Sequence, residues 1–106
     1  MAKKIVVWTA TAVYQRRAIF KFWTLRNGST IYAEKLIKLI AKQIKIIQNH
    51  QESFKNSEFP DTRESALGHF SIYYKITSEK LIITAFWDNR QDPKSLFKLL
   101  ESKNQF

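Results

Sequence analysis

The chain has 106 residues, room for one hydrophobic core; 44% hydrophobic residues with only two glycines and two prolines exclude a disordered or low-complexity segment. The absence of cysteine excludes disulfides, thiolate metal ligands and a cysteine nucleophile. Eighteen Lys and Arg against nine Asp and Glu leave a net charge of +9, which attracts polyanions: nucleic acid, ribosomal RNA or an acidic protein segment.

The charge is unevenly placed. The first acid is Glu34, and Lys3, Lys4, Arg16, Arg17, Lys21 and Arg26 precede it unopposed. Lys4 to Trp8 is a short β-branched and aromatic run, read as a strand. It is far shorter than the apolar stretch of a signal peptide, and no later run reaches the length of a membrane span. A soluble protein of the reducing cytoplasm is expected.

Thr9 or Thr11 can cap a first helix, over which Ala12, Val13, Ile19, Phe20, Phe22 and Trp23 form an apolar stripe from Ala12 to Leu25. Asn27-Gly28-Ser29 ends it, and Ser29 or Thr30 can cap the next helix, so the two form a tight helical hairpin. In the second helix Ala33, Leu36, Ile37, Ile40, Ile44 and Ile47 keep helical spacing from Ile31 to Asn49. Lys35, Lys38, Lys42 and Lys45 repeat with the same period on the opposite side, either a solubilising face or a phosphate track.

From His50 to Pro60 the pattern dissolves into a loop. Thr62 to Leu67 reads as a weak strand, Phe70 to Ile76 as an alternating strand, and Leu81 to Trp87 as a nearly continuous apolar strand. Thr77-Ser78-Glu79-Lys80 supplies the hairpin between the last two. Pro93 suits the first turn of a short terminal helix through about Leu100. These elements predict one α+β domain spanning residues 1–106: an N-terminal strand, a helical hairpin, a three-stranded antiparallel meander with the helices on one sheet face, and a short C-terminal helical tail. The other sheet face is expected to be an open polar surface holding Ser71, Tyr73, His69 and nearby arginines.

With these elements in place, several segments resemble the RelE/ParE superfamily of bacterial type II toxins, of the plasmid stabilisation protein type. They are Lys4-Ile5-Val6-Val7-Trp8-Thr9, Ala12 with Phe22-Trp23, Tyr32-Ala33, Arg63, Phe70-Ser71-Ile72-Tyr73-Tyr74, and Phe86-Trp87-Asp88-Asn89-Arg90-Gln91-Asp92-Pro93. The resemblance implies a toxin that arrests growth when its antitoxin is lost. RelE-like members cleave messenger RNA in the ribosome as endoribonucleases, and ParE-like members block DNA gyrase without being enzymes. It also implies a cognate antitoxin as partner, with a homodimer or a toxin–antitoxin heterotetramer as the assembly. A non-toxic basic nucleic-acid-binding module is the alternative.

RNA cleavage needs cations on the phosphorus centre and groups that move protons. In the RelE pattern Arg63 matches an arginine on the sheet's second strand, and Arg90 lies close to one after the last strand. His69, whose ordinary pKa is about 6.5, is the first candidate for proton transfer. Tyr73, pointing away from the core residue Tyr74, completes the set Arg63, Arg90, His69 and Tyr73. Alternatively the two arginines pair with Asp61, Glu64, Asp88 or Asp92 at the surface. RelE-like tails carry a tyrosine, or near the end of the chain a histidine, whereas Pro93-Lys94-Ser95-Leu96-Phe97-Lys98 has neither. Asp88 stands where ParE-like segments often have histidine. With no cysteine and two histidines that form no chelating motif, no metal or cofactor is expected.

Overall fold

The computed structural model describes residues 3–50 and 52–91. The expected helix from Pro93 to Leu100 lies outside them.

Strand β1, Ile5–Trp8, leads directly into helix α1, Ala10–Asn27. Thr9 caps α1, its Oγ1 accepting a hydrogen bond from the Ala12 amide at 3.2 Å. The helix therefore starts two residues earlier than the apolar stripe suggests, because the cap and not the first apolar residue sets its beginning. At its far end Gly28 adopts φ 65°, the left-handed conformation that lets its amide bond back to Thr24 O. Helix α2, Ile31–Asn49, follows at once, and Ser29 Oγ accepts from the Ile31 amide.

Four further strands complete the chain: β2, Lys55–Asn56; β3, Arg63–Leu67; β4, Phe70–Ile76; and β5, Lys80–Asp88. The sheet order is β1-β5-β4-β3-β2. The β3-β4-β5 meander is antiparallel as expected, whereas β1 lies parallel to β5 at the edge and makes the sheet mixed. Strand β2 is two residues long, inside the stretch read as loop, and pairs with β3.

The helical hairpin covers one sheet face. Leu36, Ile40, Ile44 and Ile47 of α2 and Ala12 and Ile19 of α1 pack with Phe70, Ile72, Tyr74, Leu81, Ile83 and Phe86. Helix α1 departs from its predicted stripe. Phe22 is 54% exposed, while the polar Thr11 and Gln15 are buried. Pairing of β1 with β5 stops at Trp8 opposite Ile83, so beyond that point the edge of β5 meets α1 in place of a strand. Gln15 Oε1 there accepts the Phe86 amide at 2.9 Å, and a polar side chain is buried because a backbone donor requires it.

The second sheet face is not the open polar surface expected. Tyr73, Ala85 and Trp87 form a second buried cluster with Phe59 against it, and Ser71 is 1% exposed. A bulge makes this possible: Tyr73 pairs with Ala85 but Tyr74 with Ile83, leaving Thr84 unmatched. The extra residue shifts the alternation of β5, so Ile83 and Phe86 face the helices while Ala85 and Trp87 face away.

Candidate functional site

The four residues singled out from the sequence fall in three places. Arg90 stands just past β5, where Asp88 holds it from one side. Arg90 Nε donates to Asp88 Oδ1 at 2.9 Å and Nη2 to Oδ2 at 2.8 Å, while the Arg90 amide also reaches Oδ1 at 3.0 Å. Asp88 is buried and Arg90 half-exposed, at 10% and 44% of their side chains. The fork fits the carboxylate edge to edge, the geometry that favours arginine over lysine. The hydrogen bonds from Arg90 hold the Asp88 carboxyl below its usual range despite partial burial, and the same bonds raise the guanidinium.

The fork aims Arg90 at the helices. Its guanidinium carbon lies 5.0 Å from the Trp23 ring centre and 5.8 Å from that of Phe70, within range for cation–π attraction. Arg26, from the last turn of α1, approaches the same indole at 5.8 Å. Between them opens a cleft of about 600 Å³, walled by Ala18, Ile19, Phe22, Trp23 and Gln91 and charged by Arg26, Asp88 and Arg90. His69 belongs to this end of the molecule. It is exposed in the β3–β4 turn, and its carbonyl accepts the Asn89 amide at 2.8 Å.

Arg63 is at the other end. It opens β3 opposite Tyr74, whereas Asp88, which holds Arg90, is opposite Phe70, so along β4 Arg63 and Asp88 are separated by four residues, about 13 Å. Its Nη1 donates to Phe54 O at 2.7 Å and Glu52 O at 3.3 Å, fastening the segment that leaves α2 onto the sheet. Burial pushes the neighbouring Tyr74 hydroxyl up to about 12, with Arg63 opposing the rise.

Tyr73 occupies the opposite face. Its hydroxyl donates to Glu64 Oε2 at 3.4 Å, as does Ser71 at 2.9 Å, and Asn89 Nδ2 donates to Ser71 Oγ at 2.9 Å. Burial first, and the Glu64 charge second, push Tyr73 up to about 12. Lys55 reaches the same carboxylate at 3.8 Å. This is a chain of hydrogen bonds serving a partly buried glutamate.

The geometry thus joins Arg90 and His69 at one end, ties Arg63 into the backbone at the other, and sets Tyr73 behind the sheet. Trp23, Arg26 and Asp88 were not singled out as site residues. Trp23 sits in an ordinary apolar stripe, and nothing in the spacing of Arg26 and Arg90 announces that one indole will lie between them. Among the described residues no group of His, Asp and Glu could hold a metal ion, and no helix is long and apolar enough to cross a membrane.

Comparison with known proteins places this arrangement. No curated protein matches the sequence. Among solved structures, a chain of the "Chromosomal ParDE TA system from P. aeruginosa" is similar with a TM-score of 0.69 at 24% identity; the match covers 79% of this chain and 94% of that one. At that identity the likeness speaks for the fold. The family described as "ParE toxin of type II toxin-antitoxin system, parDE" matches residues 6–93, which runs from β1 past Arg90. A match over most of the chain, on the fold just described, means that this protein belongs to the ParE toxin family of type II toxin–antitoxin systems.

Proposed function

We propose that the chain arrests growth by gripping a protein target, DNA gyrase, and does not cleave RNA, and that a cognate antitoxin restrains it in the cytoplasm. The observation that carries this reading is the dispersal of the four candidate catalytic side chains. Phosphodiester cleavage needs its cations and proton-transfer groups within reach of one phosphate. Arg63 spends its donors on two backbone carbonyls, Tyr73 is committed to Glu64 behind the sheet, and Arg90 is neutralised by Asp88. The cleft at Trp23 combines apolar walls with fixed charges, which suits a protein side chain better than a reacting phosphate.

Ribosome-dependent messenger RNA cleavage is the second reading, favoured by the exposure of His69 at the same end as Arg90. Pulse-labelling after induction in bacteria separates the two. Early arrest of DNA synthesis with intact messages is expected. Early loss of translation with new in-frame 5′ ends on abundant messages would overturn the gyrase reading, and uninterrupted growth without any partner would overturn the toxin assignment itself.

A further inference from the structure

The outward side of the helical hairpin has no place in the site described above. Helices α1 and α2 together carry eight Lys and Arg against one acid, Glu34, and so account for most of the chain's +9. Glu34 lies in the first turn of α2, where the Thr30 hydroxyl donates to it at 2.8 Å. At 100° per residue Lys35, Lys38, Lys42 and Lys45 cluster opposite the buried stripe of Leu36, Ile40, Ile44 and Ile47, and all four are exposed. They form a row about 15 Å long. Arg17 and Lys21 occupy the corresponding outward side of α1, and both are exposed. The two ion pairs found among the described residues, Lys55–Glu64 and Arg90–Asp88, lie elsewhere. Crowding is felt even at Arg16, whose guanidinium is lowered by burial against Trp8 and then by its neighbour Arg17.

We infer that this face is a sequence-independent binding surface for the phosphate backbone of duplex nucleic acid, with Lys35, Lys38, Lys42 and Lys45 as the track and Arg17 and Lys21 beside it. The row is straight and rigid because it is built on a helix whose other side is locked into the core. Flexible lysines with no acid between them read charge and not sequence. A bilayer surface would present phosphates too, but an interfacial helix must sink its apolar side into the lipid. The main apolar stripe of α2 is already buried against the protein's own sheet, while Ile31, Ile37, Leu39 and Ile46 stay exposed, so the vesicle arm of the test below separates a bilayer from a duplex.

The test is titration of the full chain with a short DNA duplex of arbitrary sequence over a series of salt concentrations. Two triple variants accompany it: Lys38→Gln/Lys42→Gln/Lys45→Gln on the track, and Lys3→Gln/Lys55→Gln/Lys80→Gln off it, which removes the same charge from exposed positions. Gln is close to Lys in helix propensity, and circular dichroism confirms that both variants are folded. The wild-type chain is expected to bind with affinity that falls steeply as salt rises. The track variant should lose at least about tenfold, with a salt slope shallower by about 2 to 3, while the off-track variant stays near wild type. Equal losses in both variants, absence of duplex binding, or tighter binding to phosphatidylserine vesicles than to the duplex would overturn the inference. Growth arrest is scored separately. Arrest by a chain that ignores the duplex removes this surface and leaves the toxin reading standing; duplex binding by a harmless chain does the reverse.

Discussion

Asp88 and Arg90 are two residues apart, yet their pairing determines which way the charge at the end of β5 points. The carboxylate holds the fork of Arg90 from one side, and the guanidinium lies toward Trp23 and Phe70. Because the folded state holds the Asp88 carboxyl below its usual value, the pair's contribution is fully present above the unfolded carboxyl pKa, about 3.9, and is lost as pH falls through the lower folded value. Asp88→Asn is therefore expected to lower stability at neutral pH by about 1 kcal/mol, a figure kept small because Arg90 is half-exposed and screened. Urea unfolding at pH 7 and again below pH 4 checks this, since the gap between wild type and variant should close in acid. A gap that persists unchanged would mean that Asp88 acts by packing and not by charge.

At the scale of elements, the junction of β1, α1 and β5 organises the fold. Strand β1 is only four residues long, and when its pairing ends α1 takes over the edge of β5. Thr9 serves both sides of the handover: its side chain caps α1 and donates to Thr84 O at 3.3 Å. Gln15 then closes the Phe86 amide in a fully buried setting. Replacing Gln15 by Ala leaves that donor without an acceptor, at a cost of about 2 kcal/mol. Thermal unfolding should show the loss, and hydrogen exchange should show the Phe86 amide opening faster while α2 stays protected. The same element explains why apolar periodicity predicted α1 less well than α2. The buried residues of α2 are all apolar, so Leu36, Ile40, Ile44 and Ile47 could be picked out by spacing, although Gln43 and Gln48 also bond to the sheet from the partly buried margin. Helix α1 lies partly on a strand edge, and an edge demands hydrogen bonds.

For the molecule as a whole, the two arginines are expected to behave differently although both look alike as catalytic candidates. Arg63→Ala frees the Glu52 and Phe54 carbonyls and should destabilise the fold by about 1 to 2 kcal/mol, with toxicity falling only as far as the folded population falls. Arg90→Ala removes the same pair as Asp88→Asn and should also cost about 1 kcal/mol, but it should weaken growth arrest by more than the loss of folded chain accounts for, because its half-exposed guanidinium lines the Trp23 cleft. Measuring melting temperature and toxicity on the same variants decides the matter. If both lost all activity while remaining folded, the two arginines would have to act on one substrate despite the roughly 13 Å of β4 between Arg63 and Asp88, which holds Arg90.

The sequence alone determined the order of the strands and helices apart from the two-residue β2, the hairpin at Gly28, the antiparallel β3-β4-β5 meander and the basic row on α2. Each is written in local signals: period, caps, turn residues and the spacing of like charges. The family was legible too, because its segments keep their order along the chain. Only the tertiary structure decided the rest. It placed β1 parallel to β5 at the sheet edge, buried Gln15, closed the second face over Tyr73 and Trp87, and divided the candidate site among three locations. The bulge at Thr84 and the end of β1 at Trp8 are properties of pairing between distant strands. A one-residue shift in such a pairing moves side chains to the other face, and periodicity along a single strand carries no record of it.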